Sequence, residues 1–196
     1  MDSQTQLVFD LHNIGAIKFG KFKLKSGILS PFYLDLRVLV SYPTVLRYSA
    51  LAMAQVLTSL TFDRIAAIPY AAMPIGTAIA LEMNRPMIYP RREKKDYGTG
   101  RAVEGEFNRG ETVVVIDDVI TTGISKLEAI EPLHEAGLKV RDIVVLVDRE
   151  QGGAKELESR GFRVHATLKI RGMMKALKEA GKVTDKEYDD VMAFLG

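Results

Sequence analysis

The sequence predicts an α/β fold in which helices flank a mainly parallel central sheet. Short runs of β-branched residues alternate along the chain with longer segments of helical spacing. The strongest run, Val113–Ile116, is apolar without interruption, which is typical of a strand buried on both faces. Charged or small polar residues follow several of these runs, where open α/β sheets bind ligands. A length of 196 residues is most simply one domain, spanning 1–196.

Composition excludes several classes of protein. The chain has no cysteine, which rules out disulfides, thiolate metal sites and thiol catalysis. A net charge of +2 does not indicate nucleic-acid binding. The N-terminus lacks the pattern of a secretory signal, and Pro69, Pro74 and Gly76 interrupt the most apolar stretch, Ile65–Met83. We therefore expect a cytoplasmic protein that binds neither nucleic acid nor membranes.

The first third of the chain predicts a helix over 5–16, then a small flap. Apolar residues and lysines alternate around Phe22, and a second strand is predicted over Phe32–Leu36, with Ser-Gly and Ser-Pro turns between the two. Lysines beside aromatic rings are suited to a flat anionic ligand. The same pattern also fits an ordinary hairpin with a solvated lysine face.

Strands and helices then alternate. A helix is predicted over 43–60 with Pro43 in its first turn, and a helix over Ile75–Met83 lies between strands at Arg64–Ile68 and Pro86–Tyr89. Residues 91–107 differ, with five basic residues, three glycines and little hydrophobic periodicity. We interpret them as a long exposed loop or a β-ribbon that is mobile when empty, and either a lid or a solvated surface loop balanced by its acids.

The central motif VVVIDDVITTGIS predicts a ligand site. Asp117 and Asp118 follow the buried strand, and Val119 and Ile120 lead into a turn. Thr121–Ser125 then lie at the start of a helix over 124–136, where free backbone N–H groups favour a phosphate. The two acids can hold the hydroxyls of a ribose or a hydrated Mg²⁺.

The last third predicts strands over Asp142–Val147 and Phe162–Leu168, followed by helices over 171–180 and 184–195. Asp148-Arg149-Glu150 follow the first of these strands, and Thr184 with Glu187 predicts a capping box. Neither a P-loop nor a G-x-G-x-x-G motif is present. The three histidines, His12, His134 and His165, are too scattered to indicate catalysis or zinc binding.

These residues resemble a known family. VVVIDDVITTGIS is similar to the phosphoribosyl-diphosphate motif of type I phosphoribosyltransferases. FKLKSGILSPFYLDLR, RREKKDYGTG and VLVDREQGG resemble orotate phosphoribosyltransferases, especially the transferase domain of eukaryotic UMP synthases. The resemblance implies a type I phosphoribosyltransferase-like fold with a small flap and a long mobile lid. It also implies transfer of ribose 5-phosphate from 5-phosphoribosyl 1-diphosphate to orotate N1, giving orotidine 5′-phosphate and pyrophosphate in pyrimidine (UMP) synthesis.

The resemblance also implies roles for particular residues. The catalytic residues would be Lys95, Asp117 and Asp118. The orotate-binding residues would be Lys25, Phe32, Tyr33, Thr121 and Arg149. The residues that bind the phosphoribosyl diphosphate would be Tyr70, Ala71, Arg91, Arg92, Lys95, Tyr97, Asp117, Asp118, Val119, Ile120, Thr121, Thr122, Gly123, Ile124 and Ser125.

Cofactor and assembly follow from the same resemblance. Mg²⁺ would be carried mainly by the diphosphate, with Asp117 or Asp118 as its candidate protein ligands and no dedicated metal site. The chain would form a homodimer in which residues 91–107 act in the neighbouring subunit. Tyr97 and Ala71 replace a histidine and a lysine that are common in bacterial members, so we expect no role for either missing side chain.

Two alternatives stay open at this stage. The chain is also compatible with a phosphoribosyltransferase for another base. A non-catalytic regulator with the same fold is the other alternative. Because no decarboxylase domain follows Gly196, we expect a monofunctional enzyme or an excised domain.

Overall fold

The computed structural model describes residues 2–23, 27–91 and 102–196. Lys25, Arg92, Lys95 and Tyr97, and most of the predicted lid, lie outside these ranges. The helices of the described chain are α1 Ser3–Asn13, α2 Pro43–Leu57, α3 Ala72–Met83, α4 Ile124–Glu135, α5 Gly153–Ser159, α6 Ile170–Glu179 and α7 Asp185–Leu195. The strands are β1 Ile17–Lys23, β2 Leu29–Leu34, β3 Arg64–Ala67, β4 Met87–Pro90, β5 Val103–Glu104, β6 Thr112–Ile120, β7 Lys139–Asp148 and β8 Arg163–Lys169.

The predicted α/β architecture is confirmed. The main sheet has the order β5-β4-β3-β6-β7-β8, and β5 alone runs antiparallel to its neighbour among these strands. The short strands β1 and β2 form a separate antiparallel hairpin, as predicted for the flap. Pro43 begins α2, and Thr184 and Glu187 form the predicted capping box at α7.

The central strand β6 is buried on both faces, as its unbroken apolar run predicted. Val114 and Ile116 contribute to one core with α1, α2, α3, α6 and α7. Val113 and Val115 contribute to a second core with α4 and α5. All four side chains are fully buried. Successive residues of a strand point to opposite faces, so one apolar run supplies both cores.

Several sequence-based boundaries were wrong. The turn predicted at Ser30-Pro31 lies within β2, which spans Leu29–Leu34 and not Phe32–Leu36. Val119 and Ile120, predicted to lead into a turn, are the last residues of β6, because β7 still pairs with β6 as far as Ile120 and Asp148.

The C-terminal end of 91–107 is a short β-ribbon, one of its two predicted forms, and not an exposed loop. Val103 is buried and β5 pairs with β4, while the Arg91 N–H donates to the Ala102 carbonyl at 2.8 Å. The two described ends of this segment therefore meet at the sheet edge.

No helix in the described ranges combines the length and apolar character needed to cross a membrane.

Helix α3 lies unusually close to β3 because residue 76 is glycine. A Cβ atom at Gly76 would lie 2.6 Å from the Ala67 Cβ and 3.2 Å from the Met87 Sδ. We therefore expect Gly76→Ala to lower the free energy of unfolding by about 1–3 kcal/mol through overpacking, measured by urea denaturation.

Gly172→Ala is the matched control, since Gly172 is also helical and its Cβ would meet no heavy atom within 4 Å. We expect it to be neutral or to stabilise by about 0.5–1 kcal/mol. Equal stability of the two variants would contradict the packing argument.

Candidate active site

The candidate site lies at the carboxyl edge of the sheet, where the loops after β3, β6 and β7 converge. Strand β3 pairs with β6 only as far as Ala67 and Ile116. Asp117 and Asp118 therefore extend past the end of β3, although they are still within β6. Beyond them, the Arg149 N–H donates to the Ile120 carbonyl at 3.0 Å, joining the loops that follow β6 and β7.

The loop between β6 and α4 has the form of an anion cradle. Gly123 caps α4 with a φ of 83°, a left-handed conformation that glycine adopts without strain. The N–H groups of Lys126 and Leu127 both donate to the Gly123 carbonyl, so the N–H groups of Ile124 and Ser125 precede the first bond of the helix. Thr122, Ile124 and Ser125 are exposed. This helix start is open to an anionic ligand.

Gly153 supports this loop, and sequence reasoning did not assign it a role. Its N–H donates to the Thr121 carbonyl at 3.0 Å. A Cβ atom at Gly153 would lie 2.6 Å from that same oxygen and 2.9 Å from the Gly123 nitrogen. The Gly-Gly pair after Glu150 was the available signal, because adjacent glycines often mark a close backbone approach.

Asp117 is buried and holds a buried lysine that the sequence analysis missed. The Lys126 Nζ lies 2.6 Å from the Asp117 Oδ2 and 2.5 Å from the Val119 carbonyl oxygen. The other Asp117 oxygen, Oδ1, accepts the Asp118 N–H at 2.8 Å. Both carboxylate oxygens of Asp117 are therefore engaged within the protein. The position of Lys126, nine residues after the first acid, gave no periodic sign of this contact.

Asp118 forms no such ion pair with any cation among the described residues. Burial, and then the neighbouring Asp117 carboxylate, raise the pKa of Asp118 to about 7. Asp118 also attracts Arg37, whose pKa is raised chiefly by its hydrogen bond to Asp35. Among the described residues, no three histidine, aspartate or glutamate side chains form a potential metal site.

Arg149 forms the second part of the site and packs against the flap. Its guanidinium lies 4.4 Å from the centroid of the Phe32 ring, and its Nη2 donates to the Ser30 Oγ at 3.1 Å. The Arg149 side chain is buried, its Nε has no hydrogen-bond partner, and burial lowers its pKa. No described carboxylate lies within salt-bridge distance of it.

A second set of contacts supports Arg149 from the C-terminal helices. Glu150, next in the chain, has a φ of 54° and accepts the Arg171 N–H at 2.8 Å. The Arg171 Nη2 donates to the carbonyl oxygens of Leu195 and Gly196 at 3.0 and 2.6 Å. Phe194 meets the Phe32 ring edge to face, at a centroid distance of 6.1 Å. Residues of α6 and α7 therefore support both Glu150, the residue next to Arg149, and the Phe32 ring on which Arg149 stacks.

The structure also describes the other predicted site residues, Tyr33, Tyr70, Ala71 and Arg91. Tyr33 accepts a hydrogen bond from Arg37 at 3.1 Å and packs against Phe22. Tyr70 is exposed on the loop after β3, and Ala71 caps α3. Arg91 pairs with Glu104 at 3.1 Å. The three histidines lie on α1, α4 and β8, away from these loops.

The raised pKa of Asp118 predicts a pH-dependent cost to stability. An aspartate whose folded pKa lies above its ordinary 3.8 loses stability as pH rises from about 4 to about 7, and the loss is constant above that range. Asp118→Asn removes the titrating carboxyl group and with it this pH-dependent loss of stability. The variant's gain in unfolding free energy over wild type should therefore grow between about pH 4 and 7 and then level off, as measured by urea denaturation at fixed ionic strength.

Asp189→Asn is the control, because this substitution removes the same formal charge from an exposed position on α7. Its difference from wild type should stay small across this range. A gain for Asp118→Asn that shows no dependence on pH would contradict the raised pKa.

Comparison with known proteins identifies the family. The model of the phosphoribosyl transferase domain matches residues 43–167. The chain is 43% identical over 182 residues to the bifunctional enzyme PyrF/PyrE of Nostoc sp., covering 93% of this chain and 38% of that enzyme. It is 38% identical over 183 residues to orotate phosphoribosyltransferase of Pyrobaculum islandicum, covering 93% and 94%.

Among solved structures, UMP synthase of Leishmania donovani superposes with a TM-score of 0.94 and 45% identity, covering all of this chain and 42% of that one. The chain spans about two fifths of the bifunctional relatives that it matches. It spans nearly all of the archaeal transferase. With the sheet-edge cradle and its paired acids, these matches place the chain in the orotate phosphoribosyltransferase family of phosphoribosyltransferases.

Proposed function

We propose that the chain transfers ribose 5-phosphate from 5-phosphoribosyl 1-diphosphate to orotate N1, releasing pyrophosphate. The observation that carries this proposal is Arg149, a buried cation with no described carboxylate partner beside the phosphate cradle. A buried charge without a partner is costly, and a guanidinium stacked on a ring suits a planar carboxylate. Orotate supplies both the plane and the carboxylate.

The cradle and the two acids would position the other substrate. Backbone N–H groups between Thr121 and Ser125 would bind the 5-phosphate, as expected at a helix start. Asp118 would accept hydrogen bonds from the ribose hydroxyls. Asp117 is already bound to Lys126, so its role would be to hold the strand and Asp118 in place.

Mg²⁺ fits this arrangement as an ion carried mainly by the substrate. Asp118 is the carboxylate left available, because both oxygens of Asp117 are engaged. One carboxylate with substrate oxygens is a common way for Mg²⁺ to bind. When bound, the ion would neutralise charge on the diphosphate. The residues of the chain would align the base with the ribose and exclude water, so rate acceleration would come from positioning and electrostatics.

Assembly and the lid are part of the same proposal. Tyr48 of α2 and Leu81 of α3 are exposed apolar side chains on two helices that the Arg47–Glu82 pair links. Val40 and Tyr42, just before α2, are also exposed. Exposed apolar side chains of this kind are suited to contact with a second copy of the chain. In that homodimer, Lys95 and the other basic residues of 91–107 would reach the diphosphate in the neighbouring subunit.

The proposed reaction is tested directly with the purified chain. We expect orotate to lose its near-ultraviolet absorbance when 5-phosphoribosyl 1-diphosphate and Mg²⁺ are added, with one pyrophosphate released for each orotate consumed. No turnover with orotate, but turnover with a purine or with uracil, would favour a transferase for another base. Binding of the diphosphate without turnover of any base would favour a regulator.

Lys95→Ala tests the lid. Loss of one preorganised charge contact on the departing pyrophosphate should lower kcat by about a hundredfold or more. Lys139→Ala is the control, because Lys139 is an exposed lysine at the opposite edge of the sheet. A near-normal kcat for Lys95→Ala would remove this residue from the mechanism.

Mixed subunits test whether the lid acts across a dimer. We expect a mixture of Lys95→Ala and Arg149→Ala subunits to recover activity above that of either variant alone, because one site of each mixed dimer keeps both residues. Activity no higher than that of the parents would mean that Lys95 acts within its own subunit or that the chain does not dimerise.

A further inference from the structure

Ser30 lies beneath the proposed base site and is fully buried in the flap strand β2. Its hydroxyl donates to the Phe32 carbonyl at 2.7 Å and accepts the Phe32 N–H at 3.3 Å. It also accepts from the Arg149 Nη2 at 3.1 Å, across 119 residues of sequence. Because its single proton goes to Phe32, the oxygen is left to accept from Arg149. Arg149 is therefore the donor and Ser30 the acceptor in the hydrogen bond between them.

Arg149 has two restraints in this arrangement. The Phe32 ring supports the face of the guanidinium, and Ser30 holds one nitrogen at its edge. Nη2 is the nitrogen that Ser30 engages, whereas Nε is buried without a partner. A restrained side chain gives up less freedom when a ligand binds, which raises affinity without a new ligand contact.

We propose that Ser30 is a positioning residue for base recognition, which orients Arg149 toward the carboxylate of the base. This inference rests on the proposed function and goes further, because it assigns to a buried flap residue the discrimination between bases with and without a carboxylate. The signal in the sequence was only a Ser-Pro turn, which predicts local geometry. The contact to Arg149 exists because the flap folds back over the end of β7.

Removing the hydroxyl releases Arg149, and it also removes the two local hydrogen bonds to Phe32. In Ser30→Ala, the guanidinium loses one restraint and gains an unpaired buried N–H group. We expect the dissociation constant for orotate, measured by calorimetry, to rise by about tenfold, on the scale of one hydrogen bond to a charged group. The KM for 5-phosphoribosyl 1-diphosphate should stay within about twofold of wild type, since Ser30 contacts no part of the phosphate cradle among the described residues.

Uracil is the ligand control, because it keeps the pyrimidine ring and lacks the carboxylate. We expect its inhibition constant against orotate to be the same for wild type and Ser30→Ala. Equal weakening of orotate and uracil would overturn the proposal, because it would indicate general damage to the pocket. Ser49→Ala is the protein control, since Ser49 is a fully buried serine on α2 whose hydroxyl bonds only the Val45 carbonyl among the described residues.

A double-mutant cycle gives an independent test. In an Arg149→Met background, Ser30→Ala should cause no further loss of orotate affinity. An additive loss would show that Ser30 acts by another route and would overturn the proposal. If Ser30→Ala does not fold, Ser30→Cys in the same cycle gives the same discrimination, because a thiol of similar size is a weaker acceptor.

Failure of this inference can be told apart from failure of the proposed function. A wild-type chain that neither binds nor consumes orotate would contradict the function itself. A wild-type chain that consumes orotate, with Ser30→Ala indistinguishable from it in orotate affinity, would contradict only the role of Ser30.

Discussion

The buried ion pair between Lys126 and Asp117 is the interaction on which the site depends. It joins the last residues of β6 to the first turn of α4, and Lys126 also bonds the Val119 carbonyl between them. Both charges are almost fully removed from water. Such a pair adds little net stability, but loss of either partner would leave an unpaired buried charge. The pair therefore specifies the path of the loop rather than strengthening the fold.

The path of the loop between β6 and α4 gives Asp117 and Asp118 different electrostatic surroundings. Asp117 is neutralised inside the protein, whereas Asp118 has a raised pKa and forms no ion pair with a described cation. Arg149 presents the complementary case, a buried cation with no described carboxylate. Charges of both signs without described partners at one sheet edge cost stability. They are suited to a ligand that carries hydroxyl groups near one charge and a carboxylate near the other.

The base side of the site is assembled from distant parts of the chain. Phe32 and Ser30 come from the flap, Arg149 from the end of β7, and Phe194 from the last helix. Arg171 ties that helix back to Glu150. In the proposed function, recognition of the base and packing of the C-terminal helices would therefore use the same residues.

Periodicity and turn chemistry in the sequence determined the order of strands and helices, the double burial of β6 and the capping box at Thr184, because these depend on neighbouring residues. The motif from Asp117 to Ser125 likewise indicated a phosphate cradle by itself. Strand lengths needed tertiary structure, since β6 extends through Ile120 only because β7 continues beside it. Lys126 and Ser30 gave no local pattern that pointed to the site, and the adjacent glycines at Gly153 signalled only a close backbone approach. Their roles depend on contacts across the fold. Tertiary packing decided that Lys126 neutralises Asp117, that residue 153 has no room for a Cβ atom, and that Ser30 binds Arg149.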